Sequence, residues 1–224
     1  MKELRVRVTY IEPLLGTASA NPELHSDFIA SKAPDAKSRE EEVAAIGADA
    51  VEEKAMTVFP RFTEEDEARN PENKAGTPIT YDFQWKGFFK ESCSMLRRGT
   101  GFKSGKLTAF KKVIDGLVFV APRKVALVLP EGGEIGELQR PLRASTAQGE
   151  RIALAHSETV PAGTTQKFTI KLLKDDLAPL VREWLDYGEL HGTGQWRNSG
   201  AGRFYWEELD EKGKAIGGNY KDYE

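Results

Sequence analysis

Residues 192–203 read Gly-Thr-Gly-Gln-Trp-Arg-Asn-Ser-Gly-Ala-Gly-Arg, which gathers Gly192, Gly194, Gly200 and Gly202 around Trp196, Arg197 and Arg203. Glycine is favoured where the backbone needs a positive φ or must let another backbone or a phosphate come close. Backbone N–H groups in such a loop, together with two guanidinium forks, suit an anion. Trp196 adds a ring on which a base can stack. The same composition also serves a flexible connection from helix to strand. It is not a Walker loop, which needs Gly-Lys-Ser/Thr, and a dinucleotide fingerprint requires strand, glycines and helix in that order.

The charge distribution points to a second stretch. Residues 35–72 hold 12 acidic against 5 basic residues, whereas residues 84–145 hold 12 basic against 5 acidic. A basic segment in a chain of net charge −3 marks a local anion-binding face, or else the two segments neutralise each other in the fold. Within it lie Lys86 and Lys90, a Gly/Lys-rich loop with Lys103 and Lys106, and Arg140 and Arg143 in a segment suited to a protruding hairpin. The three histidines are His25, His156 and His191, and with one cysteine and no close histidine pair the chain offers no metal-ligand cluster. No cofactor is expected. Cys93, beside Phe88, Phe89, Met95 and Leu96, reads as a buried inert thiol.

The elements that would position these groups follow from periodicity. Leu4, Val6, Val8 and Tyr10 alternate with polar residues as in a half-buried strand, which ends before Pro13. Residues 14–34, with His25 and Asp27, read as a loop with at most one helical turn. Residues 38–54 have the capping and composition of a short helix. Residues 61–77 are charged and read as a surface loop. A strand at 79–83 leads into a helix at 84–98, whose Trp85, Phe88, Phe89, Ser92, Met95 and Leu96 form a core face. Strands are expected at 117–120, 125–129, 152–155 and 168–172. An Asp175- or Asp176-capped helix then carries Leu177, Leu180, Val181, Trp184 and Leu185, and the glycine loop and a strand at 204–206 close the series.

At 224 residues, 39% hydrophobic and 30% charged, with no apolar run long enough to span a membrane, the chain is expected to form one soluble domain. An acidic insertion at about 35–77 and a polar tail at about 208–224 would decorate it. The opening segment reads as a strand and lacks the apolar core of a signal peptide, so a cytoplasmic protein is expected. The order of elements fits an α+β fold with a ferredoxin-like, RRM-like βαββαβ core and hairpin and loop insertions.

Three pieces of the chain resemble one family. Lys86-Gly-Phe-Phe-Lys90 is similar to the segment at the first helix of the RAMP superfamily, the repeat-associated subunits of class 1 CRISPR ribonucleoproteins. Glu158-Thr-Val-Pro-Ala-Gly163 resembles that family's turn ahead of the strand opening its second half, and residues 192–203 stand where it keeps a glycine-rich loop. Asp82-Phe-Gln-Trp85 departs from the family pattern, as does the acidic insertion. As a whole the sequence looks like proteins carried by phages and prophages of Gram-positive bacteria, which implies the cytoplasm of a bacterial host.

The cations and Trp196 together point to a non-catalytic binder of single-stranded RNA or DNA, and the resemblance implies that it forms a homo-oligomer along the strand. Phosphate contacts would come from Lys86, Lys90, Lys103, Lys106, Arg140, Arg143, Arg197 and Arg203. Two other readings stay open. One is a phage counter-defence protein that sequesters a small, cyclic nucleotide beside the glycine loop. The other is a metal-independent endoribonuclease using His25 or His191, with Asp27 in a loop like that of the family's target-cleaving aspartate.

Overall fold

The computed structural model describes residues 1–19, 56–146 and 149–220, and of residues 141–146 and 149–154 the backbone alone. In chain order the elements are β1 (Lys2–Tyr10), β2 (Leu14–Leu15), β3 (Ala18–Ser19), β4 (Thr57–Val58), α1 (Glu64–Arg69), β5 (Ile79–Tyr81), α2 (Asp82–Leu96), α3 (Phe110–Leu117), β6 (Val118–Ala121) and β7 (Lys124–Ala126). They continue with β8 (Gly136–Thr146), β9 (Gly149–Val160), β10 (Thr165–Leu172), α4 (Ala178–Asp186), α5 (Gly188–His191), β11 (Phe204–Leu209) and β12 (Ala215–Gly218). The chain is a mixed α+β protein made of two compact units.

The first unit comprises Met1–Leu14, Pro60–Glu134 and Val160–Glu224. Its sheet runs β12-β11-β1-β10-β6, every adjacent pair antiparallel. Leu4, Val6, Val8 and Tyr10 of β1 are at most 1% exposed, as their alternation predicts. They share a face with Phe168, Ile170 and Leu172 of β10 and with Phe204 and Trp206 of β11. Trp85 on α2 packs 4.4 Å from Phe168 and 5.5 Å from Phe204 between ring centroids, and Phe89 meets Trp184 of α4 at 5.9 Å. The helix spacing of these aromatics is what buries α2 on the sheet.

A buried polar chain crosses this core. Tyr10 donates to Gln166 Oε1 at 3.0 Å, and Gln166 Nε2 donates to Thr80 Oγ1 and to the Val125 carbonyl at 2.8 and 3.1 Å. It joins β1 and β10 to the small β5–β7 ladder with each of these polar groups satisfied.

Several expectations are corrected here. Residues 61–77 are not merely a loop: Thr63 opens α1, its hydroxyl accepting from Asp66 N while Asp66 accepts from Thr63 N. This capping box is a local signal that survives without any buried face. The strand expected at 79–83 ends at Tyr81, because Asp82 already begins α2 and Gln84 Oε1 accepts from Tyr81 N at 2.7 Å. Met95 is 40% exposed and stands off the core. Neither Asp175 nor Asp176 caps α4 through its side chain; a 3-10 turn leads in and Pro179 occupies the first turn, where its missing N–H costs nothing. Residues 110–116, unassigned from sequence, form α3 together with Leu117, so the strand expected from 117 begins at Val118. The polar segment after Trp206 extends β11 and adds β12. The helix expected at 38–54 lies outside the described residues.

The second unit comprises Leu15–Phe59 and Ile135–Thr159. The hairpin anticipated around Arg140 is present: β8 and β9 pair antiparallel from Gly136↔Thr159 to Thr146↔Gly149. β9 also runs parallel to β4, where Thr57 donates to Ser157 Oγ at 2.8 Å and Glu158 Oε2 accepts from Phe59 N at 2.8 Å.

Candidate nucleic-acid interface

Between α2 and α3 the first unit carries a basic ridge. From position 97 to 112 the chain holds Arg97, Arg98, Lys103, Lys106, Lys111 and Lys112 and no acidic residue. All six are exposed, and among the described residues no ion pair involves any of them. Arg97 lies over the Phe110 ring at 5.1 Å, which fixes its stem while leaving its charge available.

The ridge is fastened from beneath. Lys103 N and Ser104 N donate to the two carboxylate oxygens of Glu183 at 2.6 and 2.9 Å, and Ser104 Oγ donates to Glu183 Oε2 at 2.5 Å. The Trp184 indole donates to Ser104 Oγ at 2.9 Å, and Ser104 is fully buried. A loop of glycines and lysines is thereby tied to α4, so its cations are displayed from a set backbone and less ordering entropy opposes binding.

The glycine loop adopts the conformations its composition suggests. Gly192, Gly194, Gly200 and Gly202 have φ of 76°, 74°, 86° and 69°, and Trp196 itself sits at 58°. A positive φ is unusual for so large a side chain. Thr193 N donates to Gly202 O at 2.9 Å and Gly202 N to Pro13 O at 2.9 Å, closing the loop onto the end of β1. A Cβ at Gly202 would overlap the Thr193 carbonyl, so the close approach requires glycine there.

The loop's cations are bound within the unit. Glu91 on α2 accepts from Arg197 and stands 3.0 Å from His191 Nε2, whose ring stacks on Tyr187 at 5.1 Å. Burial pushes the Glu91 carboxyl up, but the hydrogen bonds from Arg197 and His191 outweigh it and hold its pKa below the usual range. Arg203 Nε donates to the Glu189 carbonyl at 2.6 Å. Trp196 is 42% exposed.

Lys86 and Lys90 converge on Asp115 of α3. Lys86 Nζ donates to the Asp115 carbonyl at 3.0 Å and lies 4.4 Å over the Phe119 ring, and Lys90 pairs with the Asp115 carboxylate at 2.5 Å. Burial lowers the Lys86 pKa. Of the basic residues singled out from sequence, Lys103 and Lys106 therefore share the ridge, and Lys86 and Lys90 stand on the Asp115 side of α2. Arg140 and the Arg143 backbone both belong to β8 of the second unit. His25 and Asp27 lie outside the described residues, as does the side chain of Arg143. The sequence reading missed Arg98, Lys111, Lys112 and Phe102, although the acid-free run 97–112 was a usable signal.

Cys93 is fully buried, and burial raises its thiol pKa, as an inert core residue requires. Among the described residues no group of three or more His, Cys, Asp or Glu is placed to hold a metal ion, and no helix is long and apolar enough to cross a membrane.

No protein-family model matches the chain, and no curated protein matches it. Among solved structures it is similar to a chain of the Type III-B Cmr-beta complex bound to cognate target RNA, at 12% identity and a TM-score of 0.47. That match covers 91% of this chain but 58% of the other, so the chain spans a little over half of that neighbour's length. It is also similar to a chain of a Type IV-B CRISPR complex at 11% identity and a TM-score of 0.45, over 96% of this chain and 93% of the other. Both likenesses are weak, and a functional reading has to come from the chain's own residues.

Proposed function

We propose that this protein is a non-catalytic binder of single-stranded RNA or DNA, with the ridge of Arg97, Arg98, Lys103, Lys106, Lys111 and Lys112 as its phosphate-binding face. One observation carries the reading: six exposed cations without an acidic residue between them and, among the described residues, without an ion pair on any of them, over a backbone anchored by Glu183. Elsewhere in the same unit Lys86, Lys90, Arg197, Arg7 and Arg182 are each engaged by a carboxylate or carbonyl. A run of exposed cations without carboxylate partners among the described residues is the electrostatic footprint of a polyanion partner. Trp196 on the glycine loop is the additional stacking contact in this reading.

The reading extends to fold type. Taking β1, α2, β6, β10, α4 and β11 as the core, the sheet order β11-β1-β10-β6 with two helices packed on it supports a ferredoxin-like βαββαβ core of the RAMP kind.

The test is fluorescence anisotropy of labelled single-stranded RNA and DNA at graded salt. The wild-type protein is expected to bind with a steep salt dependence, and a variant carrying Arg98→Gln, Lys103→Gln, Lys106→Gln and Lys111→Gln to lose most of its affinity. Undiminished binding by that variant would place the phosphates elsewhere.

A further inference from the structure

Next to the ridge, within the first unit, lies a cleft of about 780 Å³ between the end of α2 and the α4–α5 corner. Its rim holds three of the exposed large apolar side chains: Met95 at 40%, Phe102 at 42% and Leu190 at 72%. Tyr187 and Lys103 line it too. We propose that this cleft receives an unstacked nucleobase of the strand held by the ridge, with Phe102 as the stacking platform. The inference rests on the nucleic-acid reading above and assigns it a base subsite.

The Phe102 ring is the main argument. It is seated on Gly99: a Cβ built there would stand 2.6 Å from the ring edge, so only glycine leaves the ring its place. Two residues further on, Ser104 is pinned to Glu183 and Trp184. An exposed aromatic carried on a backbone fastened at the next two residues loses less freedom when a base stacks on it than one on a loose loop.

The cleft's polar groups point to what kind of base contact it offers. Arg182 donates to Glu208 at 2.7 and 3.0 Å, Glu183 is occupied by Lys103 and Ser104, and Asp186 accepts from the Trp206 indole at 2.8 Å. With these committed to the fold, the lining is mainly apolar, which favours recognition by stacking and tolerates different bases. Lys103 belongs to both ridge and cleft, which sets a phosphate contact at the mouth of the base subsite. An uncommitted cation at the rim complements a nucleotide better than an apolar protein segment.

The experiment compares an oligothymidylate with a wholly abasic deoxyribose-phosphate strand of the same length and charge. Wild-type protein is expected to prefer the intact strand by roughly 5- to 150-fold for a single stacked base. Phe102→Ala, and separately Gly99→Ala, which displaces the ring, should abolish that preference while leaving abasic-strand affinity and its salt slope unchanged. Phe102→Tyr should keep it. A Phe102→Ala protein that retains the wild-type preference overturns the base subsite and leaves the ridge reading standing. Absence of abasic-strand binding by the wild-type protein overturns the ridge reading and the subsite with it. Self-association that Phe102→Ala abolishes, in a protein with no preference for the intact strand, would assign the cleft to a protein partner instead.

Discussion

Ser104 and Glu183 are joined twice, by the serine's backbone N–H and by its hydroxyl, although 79 residues separate them. The same hydroxyl accepts from Trp184, so one small buried side chain couples the basic loop to the core helix beneath it. Ser104→Ala leaves the indole N–H unpaired in a dry site and should cost about 1–3 kcal/mol of stability. Chemical denaturation checks it, and an unchanged midpoint would mean the loop is not fastened there.

Lys111 and Lys112 sit in the first turns of α3, away from the Ser104 anchor, so their removal should alter charge without altering the loop. If each meets a phosphate, Lys111→Gln and Lys112→Gln should each reduce the slope of log affinity against log salt by about 0.7 for single strands. Titrations across a salt series give this directly. Slopes equal to wild type would remove both from the interface.

Acid sensitivity is expected from Asp66. Its hydrogen bond from Lys124, assisted by the Thr63 N–H, lowers its pKa from an ordinary 3.8 to about 2. A depressed carboxyl contributes stability that is complete above its unfolded value and disappears as pH falls through the folded one. That contribution should therefore fade between about pH 4 and pH 2. Asp66→Asn should flatten this arm of the stability profile, and an identical acid limb in wild type and variant would contradict it.

Gly200 and Gly202 make a controlled pair, both left-handed but differently surrounded. At Gly200 a Cβ would meet only the Arg203 side chain at 3.5 Å, whereas at Gly202 it would overlap the Thr193 carbonyl. Gly200→Ala should cost about 1–2 kcal/mol, the ordinary penalty for a left-handed L-residue. Gly202→Ala should cost clearly more, and thermal denaturation of the two variants decides it. Equal losses would show that the loop backbone at Thr193 yields freely.

What could be read from the sequence was what repeats along it. The alternation in β1 and the helical spacing of Trp85, Phe88 and Phe89 both appear as buried faces. Met95 fits the same helical spacing yet is 40% exposed, because it borders the cleft between α2 and the α4–α5 corner instead of the sheet. Among the site residues, charge could be counted but not assigned. Lys86 and Lys90 are engaged by Asp115 and Arg197 by Glu91, partners 25 to 106 residues distant that no local pattern reveals. Ser104 was invisible for the same reason, since its importance comes from Glu183 and Trp184 on another helix. The α1 capping box was legible in principle, at Thr63 and Asp66, but an absence of apolar residues drew attention away from it.

The central place of β1 in its sheet also has a consequence for biosynthesis. Its partners on either side, β10 and β11, are made much later, and Arg7 meets Glu207 across 200 residues of chain. At the usual elongation rate of about 5–20 residues per second, β1 waits roughly 10–40 s on the ribosome before its second edge can be covered. During that interval an alternating apolar strand has at least one edge open. Assembly of the first unit is thus a late event with high contact order, and slow folding with a dependence on chaperones is the expected cost of that topology.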